Sequence, residues 1–318
     1  MIKLFWNTHN QKESDTKDKE IKEKHDRDYV WGVYHKKSSN LWIYEILKKI
    51  KYNIIEDEND LERNDTLIII DSSVEEKDKL YIKLKLICSK IFLFHLGDEG
   101  GSYDLSTIYK NCDYIWRTFC SSKYFQNNKV ECIPIGYKSG VSNRKRANRK
   151  YKWAFTGTPH KSSRHDLLFQ FMDIEPFFCH KTERFDRKII SVEEMSEVLS
   201  LTEFIPCPNG FVHPETYRLY EALECGCIPI VESAYQYYDR LFPNNPFIKV
   251  NKWSDARPII KGWEKNQNKK KREECEIWWN EHKDKIQNFL KTLGHISIVL
   301  AEPHLSFSFL LIFQFLLV

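Results

Sequence analysis

Apolar residues along this chain fall into short continuous runs, with longer stretches of helical spacing between them. Ile2–Trp6 is the first run and a strand candidate. Gln11–Asp28 is densely charged and has no apolar period, which predicts a loop or a solvated helix. Ser38–Ile50, SSNLWIYEILKKI, places an N-cap candidate before apolar residues at helical spacing. Thr66–Ile70, TLIII, is the pattern of a strand buried on both faces, and Asp71 closes it. Glu75–Cys88 reads as a helix. Lys90–His95, KIFLFH, is a second buried strand, and it runs into the loop LGDEGGS (Leu96–Ser102). Tyr114–Arg117 and Glu131–Ile135 are two more strand candidates. This β-α-β-α rhythm implies a parallel sheet with helices on both faces.

The rhythm breaks at Ser139–Lys150, which is rich in Gly, Ser, Asn and Arg, and restarts with the strand Tyr151–Thr156. Then come a helix from about Ser162 to Met172, a helix over Glu193–Ser200, a strand over Glu203–Pro206, a helix over Pro214–Cys225 and a strand over Cys227–Val231. A last helix is expected over roughly Lys270–Leu293. The pattern divides the chain into residues 1–145, residues 146–293 and a tail of residues 294–318. Two α/β units with a long final helix suggest an α/β, GT-B-like fold, two Rossmann-like domains facing across a cleft. Ligands of open parallel sheets bind outside the carboxyl ends of the strands, so two such sheets can hold two substrates on opposite walls.

Composition narrows the picture. The 318 residues suffice for about two domains at ~150 residues each. Hydrophobic residues make up 42% and charged residues 30%, a globular balance. The net charge is only +4. The basic runs Arg144–Lys150 and Lys269–Arg272 lack interleaved aromatics, so no nucleic-acid partner is indicated. The nine cysteines form no regular framework and no zinc spacing, which fits a reducing compartment. The N-terminus shows no apolar signal segment, and a cytoplasmic location is the expectation. The tail His304–Val318, HLSFSFLLIFQFLLV, is almost wholly apolar and reads as a marginal membrane anchor, as a buried segment or as a tail unrelated to the fold.

Phe204–Val231, FIPCPNGFVHPETYRLYEALECGCIPIV, concentrates the candidate chemistry. A strand ends in a turn-rich loop in which Asn209-Gly210 permits positive φ. Pro214 suits the first helical position, Glu215 the first turn and Gly226 the C-terminal stop. A loop feeding a helix start offers free N–H groups and a positive dipole end to a diphosphate. Arg218 can meet a phosphate, and Glu221 shares its face and can accept from ribose hydroxyls. The plainer reading is a surface ion pair between the two.

The segment PETYRLYEALECGCIPIV resembles the C-terminal motif of the exostosin-like glycosyltransferases, matching at Thr216, Arg218, Glu221, Ala222, Gly226, Cys227, Ile228 and Pro229. Three further stretches resemble the ribitol-xylosyltransferase-like branch of that family: FHLGDEGGSYDL (Phe94–Leu105), with Gly97 where the branch has serine, VECIPIGYKSG (Val130–Gly140) and YKWAFTGTPHKSSR (Tyr151–Arg164). The resemblance implies transfer of a sugar from a nucleotide donor, commonly a UDP-sugar, to a glycan or other hydroxyl acceptor, with inversion and without a cofactor. It implies a donor site built from Asn209, Gly210, Thr216, Arg218 and Glu221 together with Gly157, Lys161 and Arg164. A GDP-fucose-dependent enzyme and a non-catalytic sugar-binding module are the rival expectations.

Inverting transfer needs a general base near the acceptor hydroxyl. Asp98 and Glu99 follow a buried strand and are the candidates, with His95 as second choice and Tyr137 and Lys138 as further lining. Asp98 can equally hold the Gly100-Gly101 turn. No metal site is expected. The histidines show no metal-ligand spacing, and Asp26-Arg27-Asp28 lies in a charged stretch before any strong strand.

Overall fold

A computed structural model describes residues 1–6 and 41–299, apart from positions 48, 56, 73, 75, 125, 138, 139, 146, 147, 162, 184–189, 234, 235 and 263. The charged stretch Gln11–Asp28 with its Asp26-Arg27-Asp28 triplet, Lys138 and the apolar tail from residue 300 lie outside these residues.

The first sheet is made of β1 (Ile2–Trp6), β2 (Asn53–Ile55), β3 (Thr66–Asp71), β4 (Lys90–His95), β5 (Tyr114–Arg117) and β6 (Val130–Cys132). Helices α1 (Leu41–Leu47), α2 (Asp78–Ile87) and α3 (Ser106–Asn111) connect them. The second sheet is made of β7 (Tyr151–Gly157), β8 (Phe177–Lys181), β9 (Thr202–Cys207), β10 (Ile228–Glu232) and β11 (Ile248–Val250). Its helices are α4 (Arg164–Phe171), α5 (Val192–Ser200), α6 (Tyr217–Glu224), α7 (Tyr237–Leu241), α8 (Trp253–Gly262) and α9 (Lys265–Val299). The strand orders are β2-β1-β3-β4-β5-β6 and β11-β10-β9-β7-β8, with every pairing parallel.

Alternation along the strands builds three cores. In the first sheet Leu67, Ile69, Leu93 and Ile115 face an outer core under α2 and α3. The intervening Ile68, Ile70, Phe94 and Trp116 face inward. In the second sheet Trp153, Phe155, Phe204 and Ile230 face their own outer core. Ala154, Ile205, Cys207 and Val231 join the inward one. The inner core is therefore continuous between the sheets, which is why the central strands read as unbroken apolar runs.

Helix α9 fastens the two sheets together. Near its start Arg272 pairs with Glu203 on β9. Trp279 Nε1 donates to Glu224 at 2.8 Å. Further along, Phe289 packs on Tyr114 and Trp116 of β5, and Lys285 meets Glu131 of β6 at 2.7 Å.

Two expectations are corrected, and three strands were not foreseen. The helix placed from Pro214 begins at Tyr217, with Thr216 at its cap position. The Pro214 carbonyl instead accepts from Gly210 N at 3.4 Å and the Tyr238 hydroxyl at 3.0 Å, which keeps it in the preceding loop. The cysteines are not all free: Cys120 and Cys132 are joined, with Cα atoms 5.6 Å apart. Parallel pairing sets Arg117 opposite Cys132, so the turn after β5 returns Cys120 to that level. The short strands β2, β8 and β11 carried too little apolar pattern to be predicted.

Candidate active site

A cavity of about 330 Å³ lies between the sheets. Its wall is drawn from segments at or just past the ends of β4, β5, β6, β7, β8 and β9, the carboxyl ends at which parallel sheets bind ligands.

On the second-sheet wall, β7 ends in Thr156-Gly157-Thr158. Gly157 has φ +126°, and a side chain there would approach Arg218 Nη2 to 3.2 Å. Arg218 donates from Nη2 to the Thr156 carbonyl at 2.6 Å and lies 4.9 Å over the Phe155 ring. Arg164 donates from Nη1 to the Thr158 carbonyl at 3.1 Å, while its buried Nε has no partner among the described residues. Burial, and next the neighbouring Arg218 charge, bring Arg164 down to about 10, so it stays cationic at neutral pH. Lys161 completes three cations on one cavity. Thr216 makes no side-chain cap bond to α6, and its Oγ1 is buried without a partner among the described residues. Glu221, one turn along α6, is buried and lines the same wall.

The structure therefore gathers Gly157, Lys161, Arg164, Gly210, Thr216, Arg218 and Glu221 around one space. Asn209 does not line it. Asn209 N donates to Glu232 at 2.8 Å, which fixes the loop behind Gly210.

The first-sheet wall separates three residues that are close neighbours in sequence. Asp98 has φ +60°; its carboxylate accepts from Arg117 Nη2 at 2.8 Å and from Ser102 N at 2.9 Å. Its carbonyl accepts from Gly101 N at 3.0 Å. Asp98 thus holds the Gly100-Gly101 turn and neutralises a buried arginine, and it does not line the cavity. His95 is fully buried, with Nδ1 2.8 Å from the Tyr109 hydroxyl and 3.0 Å from Arg117. Burial, then the Arg117 charge, hold it well below its usual range, so it is neutral and closed off. Glu99 alone of the three lines the cavity. Burial raises its pKa, opposed by the His213 backbone and by Lys161. Gly97, the departure from the branch pattern, has a packing reason: a Cβ there would lie 2.0 Å from the Ser72 carbonyl. Tyr137 packs on Trp279 and does not line the cavity.

The sequence reading missed Glu215. It is buried between the two halves and accepts from the Tyr220 hydroxyl, from the Tyr237 hydroxyl at 2.8 Å and from Ile135 N at 3.4 Å. Burial pushes its pKa up to about 7. His213 Nδ1 lies 3.8 Å away, but burial takes that imidazole down to about 4, so no ion pair forms at neutral pH. The available signal was an acidic residue flanked by Pro214 and Thr216, with Tyr220 one turn later. Phe211, His180 and Thr182 also line the cavity and were missed. His180 and Thr182 lie on or next to the unpredicted β8. Among the described residues, no group of three or more His, Cys, Asp or Glu could hold a metal ion. No described helix is long and apolar enough to cross a membrane.

Two parallel α/β sheets facing across a cleft lined by their strand ends define a GT-B-like fold. Comparison with solved structures agrees. An α1,3-fucosyltransferase superposes with a TM-score of 0.51 at 14% identity, covering 92% of this chain and 90% of that one. The Anabaena protein Alr3699/HepE, solved in complex with UDP and glucose, gives a TM-score of 0.51 at 8% identity, covering 93% and 100%. The family model described as RXYLT1 C-terminal domain matches residues 137–297, and the chain belongs to that family. Family and fold together indicate a glycosyltransferase. No curated protein matches the chain significantly.

Proposed function

We propose that this protein is an inverting glycosyltransferase that moves a sugar from a UDP-sugar to a hydroxyl of a glycan or similar acceptor. One observation carries the reading: a single cavity joins Glu99 from the first sheet to Lys161, Arg164 and Arg218 from the second. In this reading the three cations hold the donor diphosphate and neutralise the charge that grows on it as the glycosidic bond breaks. The unpartnered Arg164 Nε and Thr216 Oγ1 supply further donors at the same place. Glu221 accepts from the ribose hydroxyls.

Glu99 takes the proton of the acceptor hydroxyl as that oxygen attacks the anomeric carbon opposite the departing UDP. Its raised pKa suits a base better than an ordinary carboxylate, because proton affinity then lies closer to the working pH. The cations provide the neutralisation this leaving group needs, so the reading requires no divalent ion. The choice of UDP leans on the family resemblance and on the UDP held by the Anabaena neighbour, while the GDP-fucose-dependent alternative raised by the sequence keeps GDP as the competitor.

The test is a thermal-shift and turnover screen against UDP, GDP and their sugars. Stabilisation by UDP and release of UDP from one UDP-sugar are expected. Stabilisation by GDP alone would overturn the donor assignment, and UDP binding without turnover would leave only a binding module.

A further inference from the structure

Among the described residues, the first half of the chain lines the cavity with Glu99, Phe119 and Ile135. Phe119 and Ile135 stand on two arms that follow β5 and β6. The pairing of these strands ends at Arg117 opposite Cys132, where Ile133 N donates to the Arg117 carbonyl at 2.8 Å. Past that level Phe119 takes φ +52°, a left-handed backbone that a residue with a side chain keeps only where its surroundings hold it. The Cys120–Cys132 bond ties the two arms together at this level, next to Phe119 on one arm and just before Ile135 on the other. Each arm also touches the loop that leads into α6. Phe119 stands edge-on to His213 at 5.3 Å, and Ile135 N donates to Glu215 at 3.4 Å. Thr216 and Arg218 of the second-sheet wall follow directly.

We infer that the Cys120–Cys132 bond is a redox-sensitive positioning element of the cavity: it sets the spacing at which Phe119 and Ile135 grip residues 213–215, and its reduction loosens the second-sheet wall. One covalent link behind both contacts makes them act together. Cys120 is buried and Cys132 half-buried, so a thiol reagent approaches from the Cys132 side. A thiolate of a dithiol attacks Cys132 Sγ, the S–S bond breaks, and Cys120 leaves as a thiolate that takes up a proton. The second thiol of the reagent then displaces Cys132 and closes the reagent's own disulfide, so two electrons pass from reagent to cystine. The inference rests on the reading of this cavity as the donor site.

The experiment uses the full chain, UDP and dithiothreitol. Purified without reductant and then denatured, the protein should show seven free thiols of its nine cysteines. Reduction should raise the UDP dissociation constant at least fivefold by calorimetry, with the circular dichroism spectrum unchanged, and reoxidation should restore it. The double variant Cys120→Ser/Cys132→Ser should bind UDP as weakly as the reduced wild type and should not respond to dithiothreitol. Amide hydrogen exchange over residues 209–218 should quicken on reduction. Four results overturn the inference: nine free thiols at the outset, UDP affinity equal in both redox states, dithiothreitol sensitivity that survives in the double variant, or reduction that unfolds the whole chain, which would make the bond a general staple. If neither redox state binds UDP, the donor reading falls, and hydrogen exchange decides alone: faster exchange sustains the positioning role and unchanged exchange removes it.

Discussion

On the first-sheet wall, Asp98, Arg117, His95 and Tyr109 direct their hydrogen bonds at one another behind the cavity surface. On the second-sheet wall, Arg164 Nε and Thr216 Oγ1 are buried without partners among the described residues, as His95 Nε2 and Arg117 Nε are behind the first, but Arg164 and Thr216 line the cavity. Both walls carry charge at strand ends, yet only one leaves much of it for a ligand. On the first wall the buried network fixes the turn, and of His95, Asp98 and Glu99 only Glu99 lines the cleft. A wall that binds a diphosphate needs several open donors, whereas a wall that supplies one base needs one carboxylate and a rigid mount.

The contrast can be broken most sharply at the adjacent acidic pair. Glu99→Gln should lower kcat by about 10²–10⁴-fold with UDP affinity unchanged. In the wild type, kcat/KM should fall as pH drops through a pKa above the ordinary glutamate range, because burial raises it, and the variant should lose that limb. An active Glu99→Gln enzyme would place the base elsewhere. Asp98→Ala should instead cost about 3–5 kcal/mol of folding stability in denaturant titration, since it strands the buried Arg117 charge. A stable but inactive Asp98→Ala protein would reverse the two roles.

Glu215 tests the seam between the walls. Its folded pKa of about 7 lies above the ordinary value of 4.5, so the folded state holds the proton more tightly. The stability this contributes is fully present below about pH 4.5 and is lost as pH rises through about 7, a change of about 3 kcal/mol. Glu215→Gln should flatten that slope in unfolding curves measured from pH 5 to 8. An unchanged slope would remove Glu215 from the seam. The smallest expected effect is Arg218→Ala, which should weaken UDP binding by about 1.5–3 kcal/mol by calorimetry. Unaltered UDP affinity would erase the proposed difference between the walls.

Much of this was legible in the chain. The runs TLIII and KIFLFH marked strands buried on both faces, and both appear with nearly the expected bounds. Gly157, Lys161, Arg164, Thr216, Arg218 and Glu221 meet at one cavity because β7 and β9 are neighbours, so the segments that follow them share one end of the sheet. The weak spots were short elements and helix starts. Pro214 carries a helix-start signal, but tertiary bonds from Gly210 and Tyr238 to its carbonyl outweigh a local preference of that size.

Hydrophobic period and turn residues by themselves determined the order of the longer strands and the helices between them, the parallel sheets that follow from it and the loop-helix-strand unit at residues 204–231. Those are local properties, set by residues a few positions apart. The tertiary structure alone decided which of Asp98 and Glu99 faces the cleft, that Cys120 meets Cys132 and that Glu215 reaches Ile135, 80 residues away. Two adjacent carboxylates look alike in sequence. What separates them is Arg117, 19 residues on, whose buried guanidinium must be neutralised and so draws Asp98 inward and leaves Glu99 to the cavity.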